Sequence, residues 1–156
     1  MTETNLQYLA TGKILWCGFY CLCYGLGGTE GYGKWIRRYV GPLWMGCGLW
    51  MFANLQGTFN IWQLLYPVLL SLSLHLGYGS NDVKDKITRR CIYGLALAIS
   101  ALPLAVISGF WLLYAIHCVV CVSMSVLLGV FNPTDSARSE ETLIACFSSV
   151  LPLFLL

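Results

Sequence analysis

Polar and apolar positions separate along this chain into long blocks. Residues 39–79 and 91–131 contain no Asp, Glu, Lys or Arg, and each block is 41 residues long. One helix of that length would reach about 60 Å at 1.5 Å per residue, roughly twice the hydrocarbon thickness of a bilayer. Each block therefore predicts a helical hairpin. The first turns near Gln56-Gly57-Thr58-Phe59-Asn60, where glycine and polar side chains suit a loop, and the second at Ser108-Gly109. Spans follow near 40–56, 60–79, 91–107 and 110–131.

Two further apolar stretches flank these blocks. Residues 8–27 are interrupted only by Lys13, and residues 142–156 carry no charge. Fifteen residues cover only about 22 Å as a helix, so the last span is short for a bilayer. The pattern predicts an all-α, six-helix transmembrane bundle in a single domain covering 1–156.

Composition agrees with this pattern. Apolar residues make up 58% of the chain and charged residues 10%, against about 25% charged in a typical soluble domain. Too few charges remain to wet the surface of a soluble globule. A net charge of +2 without a basic stripe also excludes a nucleic-acid binder. The eight cysteines lie in or beside apolar runs, where they read as small buried hydrophobes rather than a disulfide framework.

The charges give an orientation. Fourteen of the sixteen fall in three segments: Glu30, Lys34, Arg37 and Arg38; Asp82, Lys84, Asp85, Lys86, Arg89 and Arg90; Asp135, Arg138, Glu140 and Glu141. With six spans these are loops one, three and five, all on one side. Eight of nine basic residues on that side predict a cytoplasmic location for it, with both termini outside. Lys13 is expected to snorkel towards the outer boundary.

These loops also recur at a 52-residue interval. Gly25-Leu26-Gly27-Gly28-Thr29-Glu30 aligns with Gly77-Tyr78-Gly79-Ser80-Asn81-Asp82, and Lys34 aligns with Lys86 and Arg138. A true repeat predicts three hairpins about a pseudo-threefold axis. Evenly spaced spans with basic loops would produce the same period without duplication. Lys34, Arg37, Arg38, Lys86, Arg89, Arg90 and Arg138 are the candidate site for an anion or lipid head group.

Candidate chemistry elsewhere is sparse. Cys118-Val119-Val120-Cys121, beside His117, puts two thiols on one helix face. Deep apolar surroundings blunt thiol chemistry, so packing is the better reading. His75 and His117 lie at different depths and are each expected to hydrogen-bond a neighbouring helix rather than share a metal. No metal site and no cofactor are expected. The glycine loops lack the strand and lysine spacing of a nucleotide cradle and read as helix caps. Gly94, Ala98, Ala101 and Ala105 form a small-residue stripe, and Pro103 is expected to kink its helix. Trp16, Tyr20, Tyr24, Tyr32, Trp35, Tyr39, Trp44, Trp50, Trp62, Tyr66 and Trp111 are expected to contribute to interfacial belts.

Three functional readings follow. The first is a small transport or pore-forming module, oligomeric and in contact with membrane lipids, with Lys13, Asn54, Gln56, Asn60, Gln63, His75 and His117 as intramembrane polar groups. The second is a membrane enzyme using Glu30, Asp82, Asp85, Asp135, Glu140 or Glu141 at the cytoplasmic face. The third is a structural subunit whose partner covers the short sixth span. Solvated ion pairs already account for the carboxylates of the second reading.

Overall fold

The computed structural model describes residues 3–26, 32–79, 86–131 and 149–155. Among the described residues all regular structure is helical and no strand occurs. The first rod is α1 (Glu3–Leu26). The second joins α2 (Tyr32–Trp35), a π-helical turn (Ile36–Val40) and α3 (Gly41–Gln56). A 3-10 turn (Ile61–Leu64) leads into α4 (Leu65–Gly79). The fourth rod is α5 (Lys86–Ser100) continued by α6 (Leu102–Ser108), and the fifth is α7 (Trp111–Phe131). A 3-10 segment at Leu151–Leu155 ends the described chain.

Contacts between rods run antiparallel throughout. Gly12 lies against Phe52, and Trp16 against Gly48 and Trp44, so α1 and α3 pass in opposite directions. Gly46 meets Pro67 and Tyr39 meets His75, which does the same for the second rod and α4. Ser73 bonds the Ala96 carbonyl, and Gly94 abuts Cys121 and Ser125, extending the pattern to α4–α5 and α5–α7. Two tight turns make this possible. Gly57 (φ 69°) and Gly109 (φ 73°) end α3 and α6 in the left-handed conformation, inside the two segments where the sequence predicts turns.

Prolines shape two of the rods. Pro42 has no N–H to offer the Arg38 carbonyl four residues back. The chain widens into a π turn there, with the Gly41 N–H donating to the Ile36 carbonyl. The Ser71 hydroxyl of α4 donates to the Arg38 carbonyl at 2.7 Å and so replaces the missing partner. Pro103 acts likewise on the fourth rod: helix geometry breaks at Ala101, whose N–H reaches the Ala98 carbonyl at 3.4 Å. The small-residue stripe beside this kink is buried, and a β-carbon on Gly94 would fall 2.9 Å from the Cys121 carbonyl. Only glycine lets α5 and α7 approach so closely.

Among the described residues one helical stretch, Arg90–Ser108, is long and apolar enough to cross a membrane. Ile61–Leu76 and Trp111–Leu127 are shorter apolar helices. The helices run past the predicted span edges, α1 from Glu3 rather than residue 8 and α5 from Lys86 rather than residue 91. Apolarity marks a change of solvent, whereas the backbone ladder continues through charged residues.

Three expectations need correction. Lys13 turns into the bundle and is 5% exposed, so it does not snorkel. Tyr20 and Tyr66 are core residues rather than belt residues. Trp16 and Trp44, both half-buried, stack at 4.1 Å in the α1–α3 seam. The described part of the last segment is covered by the chain itself, because Leu151–Leu155 packs against α3, α6 and α7.

Candidate functional site: a polar centre inside the bundle

Several polar groups are buried within the apolar core of the bundle, and many large apolar side chains are exposed. Lys13, Gln63, Ser73, Arg90, Ser100, His117, Ser125 and Ser149 are buried, while Leu15, Trp50, Trp62, Val68, Leu112 and Val119 are more than half exposed.

The centre of this interior is Tyr66 on α4, fully buried, whose hydroxyl donates to the Ser149 carbonyl at 2.7 Å. Tyr66 lies within electrostatic range of Tyr20, Cys121 and Cys17, and Lys13 within range of Cys17. Lys13, Cys17 and Tyr20 share one face of α1 because they are spaced by four and three residues. That face carries a cation, a thiol and a phenol, of which the thiol and the phenol lie within electrostatic range of Tyr66.

His117 extends the polar lining on α7. Its Nε2 faces the Leu97 carbonyl at 3.5 Å, and the Cys121 Sγ lies 3.5 Å from Nε2 and 3.7 Å from Nδ1. The Leu97 carbonyl also accepts the Ser100 hydroxyl at 2.6 Å, next to the Pro103 kink. Each histidine therefore meets a neighbouring rod. His75 pairs with the Tyr39 hydroxyl at 2.8 Å, and Tyr39 stacks on Trp35. Cys118 and Cys121 are both free thiols, with Tyr114 bonded to the first and His117 facing the second. No disulfide chemistry is assembled between them.

Several sequence candidates have local duties instead. The Asn54 amide donates to the Trp50 carbonyl of its own helix and is exposed. Gln63 is buried but closes the first hairpin, accepting from the Asn60 N–H at 3.1 Å and donating to the Thr58 carbonyl at 3.3 Å. Sequence reasoning missed Tyr20, Tyr66 and Cys17 as a group. The spacing of Cys17 and Tyr20 on α1 was readable, but the approach of Tyr66 from α4 was not.

The basic face is described in part. Arg90 is 1% exposed inside α5, and Arg38 is half-buried in the π turn. Lys34, Arg37, Lys86 and Arg89 are placed by backbone alone, near the starts of the second and fourth rods. Arg138 and the carboxylates Glu30, Asp82, Asp85, Asp135, Glu140 and Glu141 lie outside the described residues. No cluster of three metal-ligating side chains occurs among the described residues.

Comparison with protein-family models, with curated proteins and with solved structures found no match for this chain.

Proposed function

We propose that the chain is a six-span integral membrane protein that works as a small, gated transport module for anions. The observation that carries this reading is the burial of two cationic side chains near opposite ends of the bundle. Lys13 stands level with Phe52, five residues before the Gly57 turn, and Arg90 stands nineteen residues before the Gly109 turn. At 1.5 Å per residue the two lie about 20 Å apart along the axis. Tyr20, Tyr66, Ser73, Ser100 and Ser125 add buried hydroxyls to the same bundle. Buried ionisable groups of this kind within a bilayer mark ion and substrate paths.

Leu49, Leu70, Leu74, Leu97 and Leu104 fill the rest of the interior, which favours a gated path over an open pore. The basic residues near the rod starts would gather anions or lipid phosphates at the cytoplasmic end, each contributing about 1 kcal/mol near the surface. Outward apolar side chains would meet lipid.

Reconstitution into liposomes tests the reading, with chloride efflux as the readout. The protein is expected to release chloride faster than empty vesicles do. Lys13→Gln and Arg90→Gln are each expected to slow release about tenfold or more, the scale set by losing one favourable charge contact of ~1.4 kcal/mol or more. Vesicles as tight as empty ones, or release indifferent to both substitutions, would refute it.

A further inference from the structure

The seam between α1 and α3 is open on one side. Leu15, Trp16 and Phe19 of α1 and Trp44, Met51 and Phe52 of α3 line a groove of about 430 Å³. Gly12, also in its wall, adds no side chain to fill it. Leu15 and Phe19 are more than half exposed, so the groove opens on the outside of the bundle. Much of its wall is aromatic: Trp16 and Trp44 stack at 4.1 Å, and Phe19 tilts against Trp44 at 5.2 Å. Among the described elements α3 is the main packing partner of α1.

In a bilayer an apolar surface gains nothing from excluding water, so a lipid stays on a protein through close contact and charge. The groove offers the first, because a concave wall touches an acyl chain on several sides and each contact adds dispersion. The second stands on the same rod. Lys34, Arg37 and Arg38 precede the groove in the sequence, and Trp44 and Phe52 are six and fourteen residues beyond Arg38. At 1.5 Å per residue the groove runs from about 9 to about 21 Å beyond Arg38. A phosphate level with Arg38 would lay one leaflet's hydrocarbon, about 15 Å deep beneath an interface of about 5–7 Å, over that interval. We infer that the α1–α3 groove holds one acyl chain of an anionic phospholipid of the cytoplasmic leaflet, with its phosphate at the level of Lys34, Arg37 and Arg38. The inference rests on the membrane reading of the chain and not on transport.

The test is native mass spectrometry of the full chain in mild detergent, titrated with phosphatidylglycerol or with phosphatidylcholine of the same palmitoyl-oleoyl chains. One phosphatidylglycerol per chain is expected to be held about tenfold more tightly than phosphatidylcholine, the scale of one or two basic residues near a lipid phosphate. Leu15→Ala with Phe19→Ala removes two exposed walls of the groove and leaves the core untouched. It is expected to weaken the hold on both lipids about fivefold or more, through lost packing contacts. Lys34→Gln with Arg37→Gln is expected to bring phosphatidylglycerol down to the phosphatidylcholine level and to leave phosphatidylcholine unchanged. Leu112→Ala, an exposed position on α7 outside the groove, is expected to change neither. Equal retention of the two lipids by the parent chain would overturn the inference. So would retention unaltered by Leu15→Ala with Phe19→Ala, or an equal loss with Leu112→Ala. Recovery of the parent chain in the soluble fraction would refute the membrane reading and the inference with it. Selective lipid retention without chloride release would keep the inference and refute transport.

Discussion

At Gly94 helix packing leaves no room for a side chain. A β-carbon there would sit 2.8 Å from the Ser125 Oγ and 2.9 Å from the Cys121 carbonyl. The second contact is backbone, so α5 and α7 must separate to admit even a methyl group. Gly94→Ala is expected to destabilise the bundle by about 1–3 kcal/mol, the usual cost of overpacking, read as a lower unfolding midpoint in detergent. Stability equal to the parent would show that the two helices are not held so closely. Cys118→Ser together with Cys121→Ser is expected to leave the fold intact, because each thiol has its own neighbour and neither bonds the other. Retained α-helical circular dichroism and an unshifted gel-filtration profile would bear this out; aggregation would contradict it. The small-residue stripe was legible in the sequence because helical spacing needs no partner to be seen. Lys13 was not, since its direction depends on which side of α1 the other rods occupy.

The second rod shows how one proline resets an element. Pro42 withholds a donor from the Arg38 carbonyl, the π turn takes up the slack, and Ser71 fills the vacancy. The turn also sets Tyr39 against His75. Pro42→Ala is expected to return the N–H, rewind the π turn to α-helix, and rotate Trp35 and Tyr39 away from α4. In a cysteine-free background, Tyr39→Cys with His75→Cys is expected to crosslink when Pro42 is present and to lose that crosslink with Pro42→Ala. Equal crosslinking in both would show that proline does not maintain the π turn. The sequence made the Pro103 kink legible, because that proline lies inside an apolar span. Pro42 stands at a predicted span edge, where a proline is ordinary, so its effect on the preceding turn was hidden. The 3-10 entry to α4 was hidden in a similar way, because the Asn60–Gln63 capping box becomes visible only once the hairpin turn is placed.

For the whole molecule, block lengths and the two glycine turns carried most of the helical order, because charge-free stretches and turn residues are local signals. What they could not supply was lateral arrangement. The antiparallel pairing of α1 with α3 includes aromatic stacking between Trp16 and Trp44, and Ser149 accepts from Tyr66, 83 positions earlier in the chain. Neither contact leaves a periodic trace in the sequence. The candidate site shifted for the same reason, from a basic loop face towards a polar centre among helices.

The central claim is that the chain lies in a membrane with its basic loops on one side. Thiol mapping with a membrane-impermeant maleimide on intact cells tests it most directly, using Thr58→Cys and Ser80→Cys separately in a cysteine-free chain. Thr58 lies in the turn between α3 and α4, and Ser80 comes after Gly79 in the sequence, ahead of the basic residues Lys84 and Lys86. The account predicts labelling of Thr58→Cys from outside and of Ser80→Cys only after permeabilisation, with all protein recovered in the membrane fraction. Labelling of Ser80→Cys on intact cells, or recovery of the protein in the soluble fraction, would contradict it.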